Sequence, residues 1–216
     1  MRTKKTAKSL YLRETFSKED DTLKKIREYS EKENVGHMQV SYYEGGILQF
    51  LCKAFQVKTV VELGTLYGYS GLMMARALPA DGQLFSLDID KNRQEKAKVL
   101  IQNDPSSNKI HFITGPAKES LKTLESKAPF DMVFIDADKG AYMDYLQWSN
   151  KNLKSGGLLA ADNTFLFGAV YGEPEKEQDE KTLKGMKQFN KEVAQSGLYT
   201  STLIPTEEGL TVGIKK

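Results

Sequence analysis

Val60-Val61-Glu62-Leu63-Gly64-Thr65-Leu66-Tyr67-Gly68-Tyr69-Ser70 is the stretch on which the fold turns. An apolar run carries an acidic residue to a glycine-containing turn, and a helix-compatible segment opens near Ser70. That order predicts a strand, a tight turn and a helix. In an open parallel sheet, ligands bind outside the carboxyl ends of the strands, where such a turn lies. The glycine spacing narrows the ligand. A dinucleotide turn reads G-x-G-x-x-G, with glycine where the backbone meets the pyrophosphate. Here the glycines stand at 64, 68 and 71, and Thr65, Leu66 and Tyr67 fill the place where a phosphate would touch the chain. A ligand without phosphates fits this turn better. A plain strand–helix turn with no ligand is the competing reading.

Further short apolar runs at 57–63, 84–87, 110–113, 130–135 and 157–161 are separated by helix-compatible stretches. They alternate little between apolar and polar, as strands buried on both faces do. The pattern predicts an α/β fold: a doubly wound, Rossmann-like, mostly parallel sheet with helices on both faces. Two last strands, 198–204 and 210–214, are joined by Thr206-Glu207-Glu208-Gly209. A link that short makes a hairpin, so the last of the seven strands is expected to be antiparallel to its neighbour. Extra N-terminal helices precede the sheet. Ser17 followed by Asp20 marks the start of a charged helix to about Lys32, and Ser41 precedes Ile47, Leu48, Leu51, Cys52 and Phe55 at helical spacing. Near the C-terminus a charged loop at 172–181 feeds a helix carrying Leu183, Met186, Phe189 and Val193, which Gly197 can stop. No linker interrupts residues 1–216, which read as a single domain with a helical cap over 1–40.

Composition sets the outer limits. A hydrophobic fraction of 39% supports a packed interior. A net charge of +2 offers no global field for nucleic acid or membrane, although Lys4, Lys5, Lys8 and Arg13 make the first residues locally basic. No apolar run approaches a membrane span and the N-terminus lacks a signal core. The single cysteine, Cys52, excludes an internal disulfide, suits a reducing compartment and sits on an apolar helix face as a small buried hydrophobe. A cytoplasmic location is expected. His37 and His111 belong to no recognisable motif and read as structural or surface residues.

Three more segments carry chemistry. Asp88 closes the second strand and can accept the ribose hydroxyls of a nucleoside, while Asp90 caps the next helix. Phe130-Asp131-Met132-Val133-Phe134-Ile135-Asp136-Ala137-Asp138-Lys139 delivers two carboxylates and a lysine to a strand end. Gly156-Gly157-Leu158-Leu159-Ala160-Ala161-Asp162-Asn163 delivers a carboxylate and an amide. Adjacent strands would gather these into hard oxygen donors suited to Mg²⁺, Ca²⁺ or Mn²⁺. Taken singly, each is equally well a helix cap or a loop residue.

Together these segments resemble the cation-dependent O-methyltransferases, the group that includes the caffeoyl-CoA and catechol enzymes. The resemblance runs from about Met38 to Gly213. It rests on Glu62 to Ser70, on Leu87-Asp88-Ile89-Asp90, on Phe134-Ile135-Asp136-Ala137-Asp138-Lys139 and on Asp162-Asn163-Thr164. It implies S-adenosylmethionine as cofactor and a divalent cation, Mg²⁺ first, on Asp136, Asp162 and Asn163. Lys139 matches the family's general base. Met38, Val40, Glu62, Gly64, Thr65, Ser70, Asp88, Ala117 and Asp138 match cofactor positions, with Asp88 on the ribose. Some relatives carry a hydroxyl residue at the position of Val40, so only a backbone contact is open there. The implied reaction is methyl transfer to a hydroxyl of a small aromatic substrate, catechol- or caffeoyl-like, by a homodimer. The N-terminal helices and a substrate loop at 165–181 would cover the pocket, with Phe165, Phe167 and Tyr171 stacking on the acceptor or simply packing the loop. Three other readings compete. A metal-dependent phosphohydrolase would use the Asp136/Asp138 pair but leaves Glu62 to Ser70 idle. A nicotinamide dehydrogenase is disfavoured by the turn. A non-catalytic nucleoside-binding module needs no metal cluster and no Lys139.

Overall fold

The computed structural model describes residues 7–16 and 19–216, without the side chains of residues 8, 9 and 13. Among these residues there are seven strands: β1 Thr59–Leu63, β2 Gln83–Asp88, β3 Ile110–Thr114, β4 Phe130–Ile135, β5 Leu153–Ala161, β6 Tyr199–Ile204 and β7 Leu210–Lys215. They form one sheet in the order β3-β2-β1-β4-β5-β7-β6. β2 runs parallel to β3, and β4 runs parallel to β1 and β5; β7 is antiparallel to β5 and β6. The doubly wound sheet with an antiparallel last strand is therefore present. Its strand order reverses between β1 and β4, the place where open α/β sheets bind ligands. The helices are α1 Ala7–Phe16, α2 Asp21–Lys32, α3 Tyr42–Ala54, α4 Tyr69–Ala77, α5 Lys91–Ile101, α6 Ala117–Leu124, α7 Tyr142–Asn152 and α8 Glu180–Gln195.

The chain gathers into two compact units: residues up to 59 with 65–116, and residues 60–64 with 117–216. In the first, α3 opens on a capping box in which the Ser41 hydroxyl accepts from Glu44 N and the Glu44 carboxylate accepts from Ser41 N. It closes with Gln56 at φ 50 and Val57 N donating to Cys52 O at 2.9 Å, a Schellman-type ending. Because that ending uses the Val57 amide, β1 starts at Thr59 rather than at 57. Cys52 is fully buried. His111 is exposed on β3 and stacks on Phe85, with ring centroids 5.2 Å apart.

In the second unit, β4 is the core. Phe130, Met132, Val133, Phe134 and Ile135 are all fully buried. Successive side chains point to opposite faces, so both faces of β4 are covered. α8 adds the stripe Met186, Phe189 and Val193, all buried at helical spacing.

Several boundaries differ from expectation. β5 begins at Leu153, four residues before 157, because Leu153 pairs with Phe130 ahead of a register shift. β3 is not buried on both faces; only Ile110 is, as befits an edge strand. The charged loop ends at Asp179, whose carboxylate caps α8 through Thr182 N at 2.8 Å, so Lys181 is helical. A helix, α1, precedes the expected N-terminal pair, and the cap of α2 is Asp20, accepting from Leu23 N at 3.0 Å. Ser17, Lys4 and Lys5 lie outside the described residues, as do the side chains of Lys8 and Arg13.

Candidate active site

In the first unit the glycine turn is held by Asp88. Its Oδ2 accepts from Thr65 N at 3.1 Å and Leu66 N at 2.9 Å, and its Oδ1 accepts from Asp90 N at 2.9 Å. The carboxylate expected to serve a ribose thus already shapes the turn that follows β1. The turn needs this support: Leu66 sits at φ 46, where a side chain costs roughly 1–3 kcal/mol. Gly68, at φ 84, precedes α4. Asp90 caps α5 as expected, accepting from Asn92 N and Arg93 N.

Beneath the turn lies a residue that the sequence reading missed. Gln94, fully buried on α5, puts Nε2 at 3.0 Å from Thr65 Oγ1, 3.0 Å from Ser86 O and 3.1 Å from Ile113 O. Its Oε1 accepts from Thr114 Oγ1 at 2.6 Å. The available signal was an amide on the stripe Gln94, Ala97 and Ile101, where an apolar residue would be ordinary. Tyr69 is a second omission. Its hydroxyl donates to Glu19 at 2.7 Å, and Arg27 pairs with the same carboxylate at 3.1 Å. Burial, then the bond to Glu19, pushes the Tyr69 phenol well above its ordinary value. Of the other positions in this unit, Thr65, Ser70 and Val40 are buried and Met38 is exposed.

In the second unit, three strand ends meet. Asp136 N donates to Leu63 O at 2.9 Å, and Asp162 N donates to Ile135 O at 2.9 Å. Asp136 and Asp162 thus follow directly on Ile135 and Ala161, which are paired across β4 and β5, with neighbouring strands about 4.8 Å apart. Gly64, at φ 105, allows the close packing of β1 against β4: a Cβ there would run into the Asp136 carbonyl oxygen. The glycine is thus required by the backbone of Asp136. Glu62 is fully buried, and Ala117 opens α6, half-buried.

Lys139 Nζ lies 2.9 Å from Asp136 Oδ1 and 5.3 Å from the centre of the Tyr142 ring. Asp138 is exposed, and its Oδ1 accepts from Gly140 N at 3.0 Å. That carboxylate caps the 3₁₀ turn Lys139–Ala141, which weakens the paired-aspartate reading. The charges of Asp138 and Asp144 add to burial in pushing the Tyr145 phenol up to about 12.

Asn163 is the most informative residue here. It is 1% exposed, at φ 59, a conformation that Asn tolerates better than most residues. Its backbone N donates to Asp162 Oδ1 at 2.7 Å, yet neither Oδ1 nor Nδ2 of its side chain has a hydrogen-bond partner. A buried polar group left unpaired costs about 1–3 kcal/mol and calls for a ligand or another explanation. Among the described residues no group of three His, Cys, Asp or Glu side chains is placed to hold a metal. The donor set at these strand ends is instead two carboxylates and one amide, the hard-oxygen chemistry of Mg²⁺, Mn²⁺ or Ca²⁺.

The loop after Asn163 is strained and aromatic. Leu166 and Phe167 stand at φ 50 and 53. Phe165 and Tyr171 meet edge to face at 5.3 Å, and Lys176 Nζ lies 3.4 Å over the Phe167 ring. These rings are therefore engaged with the loop itself, while Tyr171 remains 57% exposed.

Comparison with known proteins bears on both units. The family described as O-methyltransferase matches residues 13–216. A catechol O-methyltransferase of Niastella koreensis is 33% identical over 95% of this chain and 90% of its own length. A caffeoyl-CoA O-methyltransferase of Eucalyptus gunnii is 32% identical over 94% of this chain and 84% of its own. Among solved structures, the O-methyltransferase TomG of Streptomyces achromogenes, involved in tomaymycin synthesis and crystallised with S-adenosylmethionine, superposes with a TM-score of 0.89. It is 28% identical, over 98% of this chain and 96% of that one.

Proposed function

The chain belongs to the O-methyltransferase family, and we propose that it moves the methyl group of S-adenosylmethionine to one hydroxyl of a small aromatic diol with the help of a divalent cation. Membership leaves the phosphohydrolase, dehydrogenase and non-catalytic binding readings without support. Asp136, Asp162 and Asn163 would hold the cation, Mg²⁺ in the first instance. Bound there, it supplies a concentrated positive charge that favours the ionised form of an aromatic hydroxyl. S-adenosylmethionine supplies an electrophilic methyl carbon on a sulfonium sulfur. Met38, Val40, Glu62, Gly64, Thr65, Ser70, Asp88, Ala117 and Asp138 are the proposed cofactor contacts, as the family resemblance implies. The Val40 side chain is buried and apolar, so its contribution is through the backbone.

Lys139 in its neutral amine form would take the hydroxyl proton at Nζ and become the ammonium that pairs with Asp136, 2.9 Å away, which orients it. The remaining task of the protein is alignment of oxygen, methyl carbon and sulfur, an effect worth up to about 7–11 kcal/mol. The acceptor class, catechol or caffeoyl ester, follows the named relatives. We place the chain as one catalytic domain with a cap over 1–40 and a substrate loop over 165–181, working as a homodimer in the cytoplasm. The single buried cysteine suits a reducing compartment, and among the described residues no helix is long and apolar enough to cross a membrane.

The observation that carries the cation is the buried, unpartnered side-chain amide of Asn163, the residue that directly follows the strand-end Asp162. The test is methyl transfer to catechol and to caffeic acid, followed by mass spectrometry before and after chelation, with Mg²⁺, Mn²⁺ or Ca²⁺ restored. Activity is expected to vanish in chelator and return with the cation, and Asp162→Ala is expected to abolish it. Full turnover in excess chelator would refute the cation-dependent mechanism.

A further inference from the structure

The segment that presents Asn163 is fixed from several sides. Before it, Asp162 N donates to Ile135 O at 2.9 Å, and the Asp162 carbonyl accepts from the buried Tyr142 hydroxyl at 2.7 Å. After it, Thr164 is held at all three of its polar groups. Its N–H donates to Gly209 O at 3.0 Å, and its hydroxyl donates to the same oxygen at 3.0 Å. Its carbonyl accepts from Nδ2 of Asn190 at 2.8 Å. The Thr211 hydroxyl lies 2.9 Å from Thr164 Oγ1 and 3.1 Å from Asn190 Oδ1, with one proton to share between them. Thr164 has no freedom left, and it sets the direction in which the chain leaves Asn163. The Cα–Cβ bond of Asn163, at φ 59, is fixed with it.

Asn190 stands out on its own helix. α8 buries Met186, Phe189 and Val193, and Asn190 lies at the border of that stripe, where packing alone asks only for an apolar side chain. Instead it carries an amide whose donor faces the loop carbonyl and whose acceptor faces Thr211. The Asp162 carbonyl, the polar groups of Thr164 and the Asn190 amide have the partners given above, while the buried side-chain amide of Asn163 has none. Such an arrangement suits a ligand whose direction is set by groups behind it, as outer partners orient metal ligands.

We propose that Asn190 is a positioning residue that, through Thr164, aims the Asn163 amide at the divalent cation; the inference rests on the cation reading above. Asn190→Asp keeps the size of the side chain but turns its donor into an oxygen facing the Thr164 carbonyl. Its Mn²⁺ dissociation constant, read from the paramagnetic resonance of free Mn²⁺, should rise about 10–100-fold. Binding of S-adenosylhomocysteine without metal, measured by calorimetry, should stay unchanged. Thr211→Val, a milder variant that leaves Asn190 in place and removes its hydroxyl partner, should weaken Mn²⁺ in the same direction by less. Ser149→Ala removes a buried hydrogen bond to Tyr145 O on α7 and should lower stability without moving Mn²⁺ affinity. Unchanged Mn²⁺ binding in both Asn190→Asp and Thr211→Val would overturn the positioning role and leave the cation reading standing. Equal weakening by Ser149→Ala would overturn the role too, by showing general loosening. An unaltered protein that binds no Mn²⁺ would overturn the cation reading, and this inference with it.

Discussion

Gly64→Ala tests how the ends of β1 and β4 are packed. Gly64 stands at φ 105, outside the region comfortable for a side chain, and a Cβ there meets the Asp136 carbonyl oxygen and lies 3.0 Å from its carbon. The backbone conformation alone costs about 1–3 kcal/mol. Relieving an overlap with backbone, which cannot rotate away as a side chain can, adds about 1–3 kcal/mol. The sum is about 2–6 kcal/mol, which in a chain of this size lowers Tm by about 4–24 °C. Gly156→Ala is the matched reference: its φ is 77, and no atom lies within 4 Å of the added Cβ. It carries only the conformational cost, about 1–2 kcal/mol, or about 2–8 °C. Thermal unfolding of both variants, followed by circular dichroism, separates the overlap from the strain. Gly64→Ala should also weaken Mn²⁺, because the relief moves the backbone of Asp136. Equal melting temperatures for the two alanine variants would refute the claim that the Asp136 carbonyl requires glycine at 64.

Three further outcomes follow from the same geometry. Lys139→Ala should lower kcat while leaving the affinity for S-adenosylhomocysteine unchanged; a fall in affinity with kcat intact would assign Lys139 to binding instead. Gln94→Leu leaves Thr65 Oγ1, Ser86 O and Ile113 O without their common donor. It should cost about 1–3 kcal/mol in urea unfolding and weaken S-adenosylhomocysteine by loosening the turn; unchanged affinity would detach Gln94 from that turn. Stability should fall above about pH 10, because an unfolded tyrosine ionises there. Burial keeps Tyr69, Tyr145 and Tyr199 protonated in the folded protein, the last two up to about 12. The unfolded chain then binds fewer protons than the folded one, so stability drops as pH rises through this window. Tyr69→Phe should flatten that decline, as checked by urea midpoints between pH 9 and 11.

The family and its chemistry were legible from a few strand ends, because apolar runs closing on Glu62, Asp88, Asp136 and Asp162 expose both the period of the sheet and the residues it delivers. The boundaries were less legible. β5 hides its first residues behind Gly156 and Gly157, and β1 loses Val57 to the end of a helix, since both depend on which partner takes a backbone amide. Pattern could place Gly64 beside a ligand, but only the approach of the Asp136 carbonyl shows why a side chain is excluded there.

Local sequence therefore determined the alternation of strands and helices, the caps at Ser41 and Asp90, and the identity of the groups at the strand ends. All of these depend on neighbours a few residues away. Tertiary structure alone decided that Gln94 lies under the turn, that Glu19 meets Tyr69, and that Asn190 reaches Thr164. A hydrogen bond across tens of residues leaves no period in the chain. Its donor and acceptor are brought together by burial of the apolar surfaces around them, and that is a property of the packed fold.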